Sequence, residues 1–177
     1  MTVKGSVPFF KSQALLDEKA LAACMVYVDL NPIRARMATT PEQSDHTSIK
    51  RRIKQALDAK PPYLPEQQPT ALLAFAGNPR EGMPDGIPFA LSDYLALVDW
   101  SGRIIREDKK GHIPEHLPDI LQRLDIDPRN WVYLTKNFEH PFKNLVGTVH
   151  HVRKTCEDIG KNWVHGISQC EKLFSSA

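Results

Sequence analysis

The sequence is poor in the features that mark several protein classes. Its three cysteines are an odd number, lie far apart and include no Cys-x-x-Cys pair, which argues against a disulfide framework and a zinc knuckle. No stretch approaches the ~20 apolar residues that a membrane span needs. Residues 1–10 lack the uninterrupted apolar core of a signal peptide. We therefore expect a cytoplasmic protein with no membrane partner.

Motifs of small-molecule enzymes are missing as well. The sequence has no glycine-rich phosphate loop, no nucleophile elbow and no paired-carboxylate motif. The alternation typical of strands is also rare, so few strands are expected. With 177 residues, of which 41% are hydrophobic, the chain is nevertheless long and apolar enough to bury a core. A mainly α fold is predicted.

Helical periodicity first becomes clear at residues 17–30. A helix is predicted there because Leu21, Met25 and Val28 recur at helical spacing among good helix formers. Pro32 disfavours the helical conformation at the residue before it, so this helix should end at that point. The three apolar side chains form the stripe that we expect to face the core.

Further helical patterns follow along the chain. A second helix is predicted from Thr47 or Ser48 to about Ala59, with Ile49 and Ile53 on its apolar side. Pro61 and Pro62 follow its end. The remaining predicted helices are 93–100, capped by Ser92, then 117–124, 129–138 and 143–159, the last closed by Gly160.

A proline-rich segment divides the chain. Residues 61–69, PPYLPEQQP, suit an extended linker, so we predict an N-terminal part at 1–60 and a helical C-terminal extension at 70–177. The charge is divided in the same way. Residues 1–61 contain ten Lys or Arg against six Asp or Glu, whereas the remainder contains thirteen against fifteen. The first part is therefore the basic one.

Most of this positive charge lies in two short groups. Clusters of Lys and Arg neutralise DNA phosphates without sequence preference. A solvated helix face is the alternative explanation for any such charge run. The candidate DNA-binding residues are Arg34, Arg36, Lys50, Arg51, Arg52 and Lys54.

A longer motif covers residues 10–37, FKSQALLDEKALAACMVYVDLNPIRARM. It resembles the end of the catalytic domain of REP-associated tyrosine transposases, the single-tyrosine branch of the HUH nucleases. In that family a segment like R-[FY]-K-S leads into a helix that ends in Y-[IV]-x-x-N-P-[VI]-R-A. The nine residues YVDLNPIRA at 27–35 match that ending. After Ala59 the resemblance weakens to a C-terminal extension with no assigned role.

The resemblance implies the chemistry of DNA transposition. Tyr27 would attack a phosphate of single-stranded or hairpin DNA, leaving a 5′-phosphotyrosine and a free 3′-hydroxyl, which conserves bond energy for strand transfer. A divalent metal, Mg or Mn, would polarise that phosphate. Tyr27 and Asn31 are four residues apart and should share one side of the helix, so Asn31 could be a metal ligand. Related transposases often act as homodimers, which is a possible state here.

Part of the implied machinery is missing from this sequence. Family members are similar in having, upstream, a ferredoxin-like α+β sheet whose His-hydrophobic-His pair binds the metal. The sequence contains neither that pair nor the strands. We therefore expect a helical fragment or a decayed copy of a transposase, which does not cleave DNA alone. The alternative is a non-enzymatic DNA-binding or protein-binding remnant, in which Tyr27 merely flanks the core and Asn31 caps the helix end.

Smaller expectations concern the side chains near Tyr27 and the tryptophans. Ala20 and Ala23 lie beside Tyr27 on the predicted helix, and such small neighbours should leave room for a DNA strand. Cys24 is most simply a small buried hydrophobe. The tryptophans are expected to anchor the core of the C-terminal helices, and they are Trp100, Trp131 and Trp163.

Overall fold

A computed structural model of the protein describes residues 12–60, 67–77, 86–106 and 116–174. Within these ranges the chain is mainly helical, as predicted. A two-residue pair of parallel strands, β1 (Ala14–Leu15) and β2 (Leu145–Val146), joins the beginning of the chain to its C-terminal extension. The helices are α1 (Glu18–Asp29), α2 (Asn31–Arg34), α3 (Ser48–Asp58), α4 (Leu91–Arg106), α5 (Asp119–Leu124), α6 (Pro128–Asn137), α7 (Val149–Asp158) and α8 (Ile167–Phe174).

Helix α1 begins and ends close to its predicted bounds. Asp17 is the N-cap, and its carboxylate accepts a hydrogen bond from the backbone N–H of Ala20 at 2.9 Å. The predicted core-facing stripe is wrong. Leu21 and Met25 are only half-buried, and Val28 is 57% exposed.

The buried side of α1 is instead formed largely by small residues. Ala20, Ala22, Ala23 and Val26 are fully buried, and α1 packs chiefly against α6. Short side chains let two helix axes approach closely. Ala20 and Ala23 therefore lie in the protein core and leave no room for a DNA strand, which corrects that expectation.

A buried carboxylate joins three helices. Asp29, the last residue of α1, accepts hydrogen bonds from the Ser48 hydroxyl at 2.9 Å, the backbone N–H of Ile49 at 3.2 Å and the Tyr94 hydroxyl at 2.7 Å. Ser48 and Ile49 open α3, where a negative charge also complements the helix dipole. Tyr94 belongs to α4. The end of α1, which positions Tyr27, is thereby fixed against α3 and α4.

Helix α3 matches its predicted bounds to within a residue, whereas α4 differs from its prediction at both ends. Helix α3 has the predicted start, with Thr47 as its N-cap. Helix α4 begins at Leu91, before the predicted cap Ser92, and continues past residue 100 to Arg106. The Ser92 hydroxyl donates to its neighbour Asp93, so it does not cap the helix. The extra length of α4 brings Arg106 to the region of Tyr27.

The predicted helix at 143–159 divides into β2 and α7. Strand β2 pairs in parallel with β1. The Asp17 carboxylate accepts a hydrogen bond from the backbone N–H of Thr148 at 2.6 Å, just before α7 begins. These long-range contacts override the helical periodicity of the sequence. Gly160 follows α7 with a φ of 66°, as its predicted role in closing the helix requires. Helix α8 was not predicted.

The tryptophans have different environments. Trp131 is fully buried, and its indole N–H donates to the Ser101 hydroxyl at 2.9 Å; Trp100 is also buried. Both are core residues, as predicted. The prediction for Trp163 is wrong because this side chain is 71% exposed.

One hydrophobic core unites the two parts that the sequence separates at the linker. Buried residues of 12–60 and of 116–174 belong to the same cluster. Residues 61–66 of the predicted linker lie outside the described residues. Gln68, near the linker's end, is buried and exchanges hydrogen bonds of 2.8 Å with the backbone of Phe75. The described residues therefore do not form separate N-terminal and C-terminal cores.

Candidate functional site

An open cleft lies beside Tyr27, where α1 and α2 meet the ends of α4 and α6. Its volume is about 880 Å³. Tyr27 and Asn31 both line it, in keeping with their four-residue spacing. Four of its lining residues are cationic and one is a carboxylate. The residues that line this Tyr27 cleft are Tyr27, Asn31, Ile33, Arg34, Ala35, Arg36, Ala38, Thr39, Ile105, Arg106, Lys136 and Glu139.

Arg34 holds the Tyr27 side chain in place. Its guanidinium carbon lies 3.7 Å from the centre of the Tyr27 ring, a cation–π contact. Arg34 Nη1 donates to the backbone oxygens of Tyr27 at 2.5 Å and Thr135 at 3.2 Å, and Nη2 donates to Asn31 Oδ1 at 3.1 Å. Arg34 therefore connects α1, α2 and α6. Its positive charge lies next to the phenol.

Three influences act on the Tyr27 hydroxyl. Burial raises its pKa above the usual value near 10. Arg34 opposes this by favouring the phenolate, whereas the negative charge of Glu139 raises the pKa further. The phenol is therefore protonated at neutral pH. As a nucleophile, Tyr27 would have to release its proton during the attack.

The divalent metal that the resemblance implies does not fit the donors of this cleft. Mg and Mn prefer several oxygen ligands, carboxylates among them. Asn31 Oδ1, the expected ligand, accepts a hydrogen bond from the positively charged Arg34. In the part of the chain that the structure describes, no three His, Cys, Asp or Glu side chains gather into a possible metal site. The positive charge of Arg34 next to Asn31 Oδ1 opposes the binding of a metal cation there.

Arg36 lies in a turn that normally favours glycine. Its φ of 58° is in the left-handed region, which costs a non-glycine residue roughly 1–2 kcal/mol. Hydrogen bonds from Arg36 N–H to the Ile33 oxygen at 3.0 Å and from Met37 N–H to the Pro32 oxygen at 2.8 Å close the turn after α2. The turn directs an exposed arginine into the lining of the Tyr27 cleft.

The C-terminal extension also contributes to the cleft, which the sequence analysis missed. Arg106 ends α4, Lys136 lies in the last turn of α6, and Glu139 follows α6. Arg106 Nη1 donates to the backbone oxygen of Thr39 at 2.8 Å and so connects α4 with the turn after α2. No local motif marks these residues because only the packing of α4 and α6 on α1 and α2 brings them to Tyr27.

The basic residues of α3 lie apart from the Tyr27 cleft lining. Lys50 forms an ion pair with Asp45, and Arg51 and Lys54 are exposed. Arg52 is buried, with an exposed fraction of 3%, and its Nη2 donates to the backbone oxygen of Leu73 at 3.0 Å. The predicted DNA contact of Arg52 is therefore wrong, because a phosphate cannot reach a guanidinium inside the core.

Arg52 has an internal partner instead. Its guanidinium carbon lies 4.6 Å from the centre of the Phe75 ring, which is itself buried. A helical pattern of basic residues does not distinguish an arginine that points inward from one that points outward. Cys24, by comparison, is half-buried, and burial raises the pKa of its thiol, in line with the predicted role as a small hydrophobe.

Comparison with known proteins found no match among protein-family models, curated proteins or solved structures. Within the described ranges, no helix has both the length and the apolar character that a membrane crossing needs.

Proposed function

We propose that the chain is part of a single-tyrosine DNA transposase, in which Tyr27 is the nucleophile of strand cleavage and rejoining. Two independent features support this proposal. The motif YVDLNPIRA at 27–35 resembles that of REP-associated tyrosine transposases. Its tyrosine lines an open cleft with four cationic side chains, and this observation carries the proposal because phosphate recognition needs such charge.

The chain's own residues would act on the phenol and on the phosphate. Arg34 donates to the Tyr27 backbone oxygen and places a positive charge over the face of the ring that carries the attacking oxygen. Glu139, which lines the same cleft, would accept the phenol proton as the bond from the Tyr27 oxygen to phosphorus forms. The bond from phosphorus to the 3′-oxygen breaks, and the departing oxygen would take up that proton to become the 3′-hydroxyl. The metal of the parent family would polarise the phosphate, and the described residues do not supply its donors.

The test requires this chain to be joined to an upstream domain that carries a His-hydrophobic-His metal site. With single-stranded DNA and magnesium, that protein should form a covalent adduct. Tyr27→Phe should abolish the adduct but preserve folding and DNA binding, because only the attacking oxygen is removed. Asn31→Ala should act more mildly, because it removes a hydrogen-bond partner of Arg34 but not the attacking oxygen. An adduct formed by the Phe variant would overturn the proposal.

The alternative function is DNA binding without chemistry. The packing of α1 in the core and the hydrogen bond from Arg34 to Asn31 both stabilise the fold, so a DNA-binding protein without catalytic activity would need them too. In that case the joined protein would bind single-stranded DNA through the Tyr27 cleft, and no adduct would form with any metal. The adduct assay therefore separates the two functions.

A further inference from the structure

The cationic residues of the Tyr27 cleft come from both parts of the chain. Arg34 and Arg36 belong to the transposase-like motif, whereas Arg106 and Lys136 belong to the C-terminal extension. Glu139 is the one carboxylate in the lining. A polyanion in this cleft would therefore meet positive charge from both parts.

Arg106 and Lys136 are placed at the surface. Both side chains are exposed. Arg106 is held at the cleft by its hydrogen bond to the Thr39 backbone oxygen. Among the described residues, Lys136 has no side-chain hydrogen bond or ion pair, so its presence in the cleft is not explained by a contact that supports the fold.

The cleft is open and small. Its volume of about 880 Å³ lies within the range of roughly 300–1,000 Å³ that is typical of small-ligand pockets, so only a short stretch of a polynucleotide can lie in it. Since the proposed function acts on single-stranded DNA, a single strand is the occupant that we consider.

We infer that the C-terminal extension forms one wall of a binding track for a single-stranded polynucleotide, with Arg106 and Lys136 contacting backbone phosphates next to Tyr27. The inference rests on the proposed function because it assumes that the cleft receives DNA. It gives the extension a defined role, which is to hold the strand on the side of the cleft that the transposase-like motif does not cover.

The test is binding of a short labelled single strand to the full chain at a series of salt concentrations. Arg106→Ala combined with Lys136→Ala should weaken binding. It should reduce the slope of log affinity against log salt by about 1.4, since each phosphate contact on a single strand contributes about 0.7. Lys136→Gln alone should weaken single-strand binding without a loss of thermal stability, because Lys136 has no side-chain hydrogen bond or ion pair among the described residues.

The control pair is Arg129→Ala with Lys143→Ala, which removes two exposed positive charges from the extension outside the cleft. An equal loss of slope in this pair would overturn the inference, since general charge would then explain the binding. If Arg36→Ala lowers the slope and the Arg106 and Lys136 pair does not, the extension is not part of the track, while the proposed function stands. If no cleft variant alters the slope, both fail.

Discussion

At the scale of single residues, the two arginines of the motif have different surroundings. Arg34 is half-buried and is held by hydrogen bonds to Tyr27, Asn31 and Thr135, so it positions the tyrosine. Arg36 is exposed and adopts a strained backbone conformation. The spacing in the sequence grouped both as DNA contacts. It could not distinguish them because the bond from Arg34 to Thr135 crosses to a distant part of the chain.

Arg36→Gly should have opposite effects on stability and on DNA binding. Glycine adopts the left-handed conformation without strain but makes the unfolded chain more flexible, so the free energy of unfolding should rise by no more than about 1 kcal/mol. Single-strand affinity should fall because one cation leaves the cleft. Urea unfolding and a binding titration measure the two effects.

The matched control is His46→Gly. His46 also has a positive φ, of 63°, and is exposed, but it does not line the Tyr27 cleft. The His46→Gly variant should be more stable than the unchanged chain and should bind single-stranded DNA with the same affinity. If Arg36→Gly bound the strand as well as the unchanged chain does, Arg36 would have no part in phosphate binding.

At the scale of the helices, the sequence predicted where a helix lies along the chain better than it predicted which side of the helix is buried. The N-caps of α1 and α3 are local signals that set where these helices begin, and α1 ends shortly before Pro32, although Asn31 is itself helical and begins α2. The alanines of α1 are buried because they pack against α6. The sequence of α1 alone does not show this contact, so its buried face was predicted wrongly. The split of 143–159 was missed for the same reason, since β2 pairs with a strand at the other end of the chain.

The contact between Tyr94 and Asp29 should show how strongly α4 is fixed to α1. Tyr94→Phe removes a buried hydrogen bond of 2.7 Å to a carboxylate, which should lower the free energy of unfolding by roughly 1.5–3 kcal/mol. Urea unfolding at neutral pH measures this loss. A change below about 0.5 kcal/mol would mean that the bond does not stabilise the junction.

The contact between Tyr94 and Asp29 also makes the stability of the protein depend on pH. Burial, and then the charge of Asp29, raise the pKa of Tyr94 well above its usual range. The unfolded chain loses this proton near pH 10 while the folded chain keeps it, so stability should fall as pH rises above about 10. Tyr94→Phe lacks this contribution, and the stability gap between the two proteins should narrow at alkaline pH. A constant gap would contradict the assigned cause.

At the scale of the whole molecule, the chain combines a recognisable motif with an extension that has no motif of its own. The division at 61–69 was read from composition, yet α1 packs against α6 and α2 packs against α4. The Tyr27 cleft is formed by that packing. Half of its cationic lining, Arg106 and Lys136, was therefore beyond prediction from local sequence, whereas Tyr27, Arg34 and Arg36 were found from the motif.

Backbone amide NMR of the full chain with a short single-stranded DNA would show directly whether the Tyr27 cleft receives the strand. We predict that the largest shift changes occur at residues 27–38 and near Arg106, Lys136 and Glu139, which line the cleft. Smaller changes at Arg51 and Lys54 would reflect weak contacts to exposed charge on α3. Changes confined to α3, with none at the Tyr27 cleft, would show that the strand does not bind in the cleft.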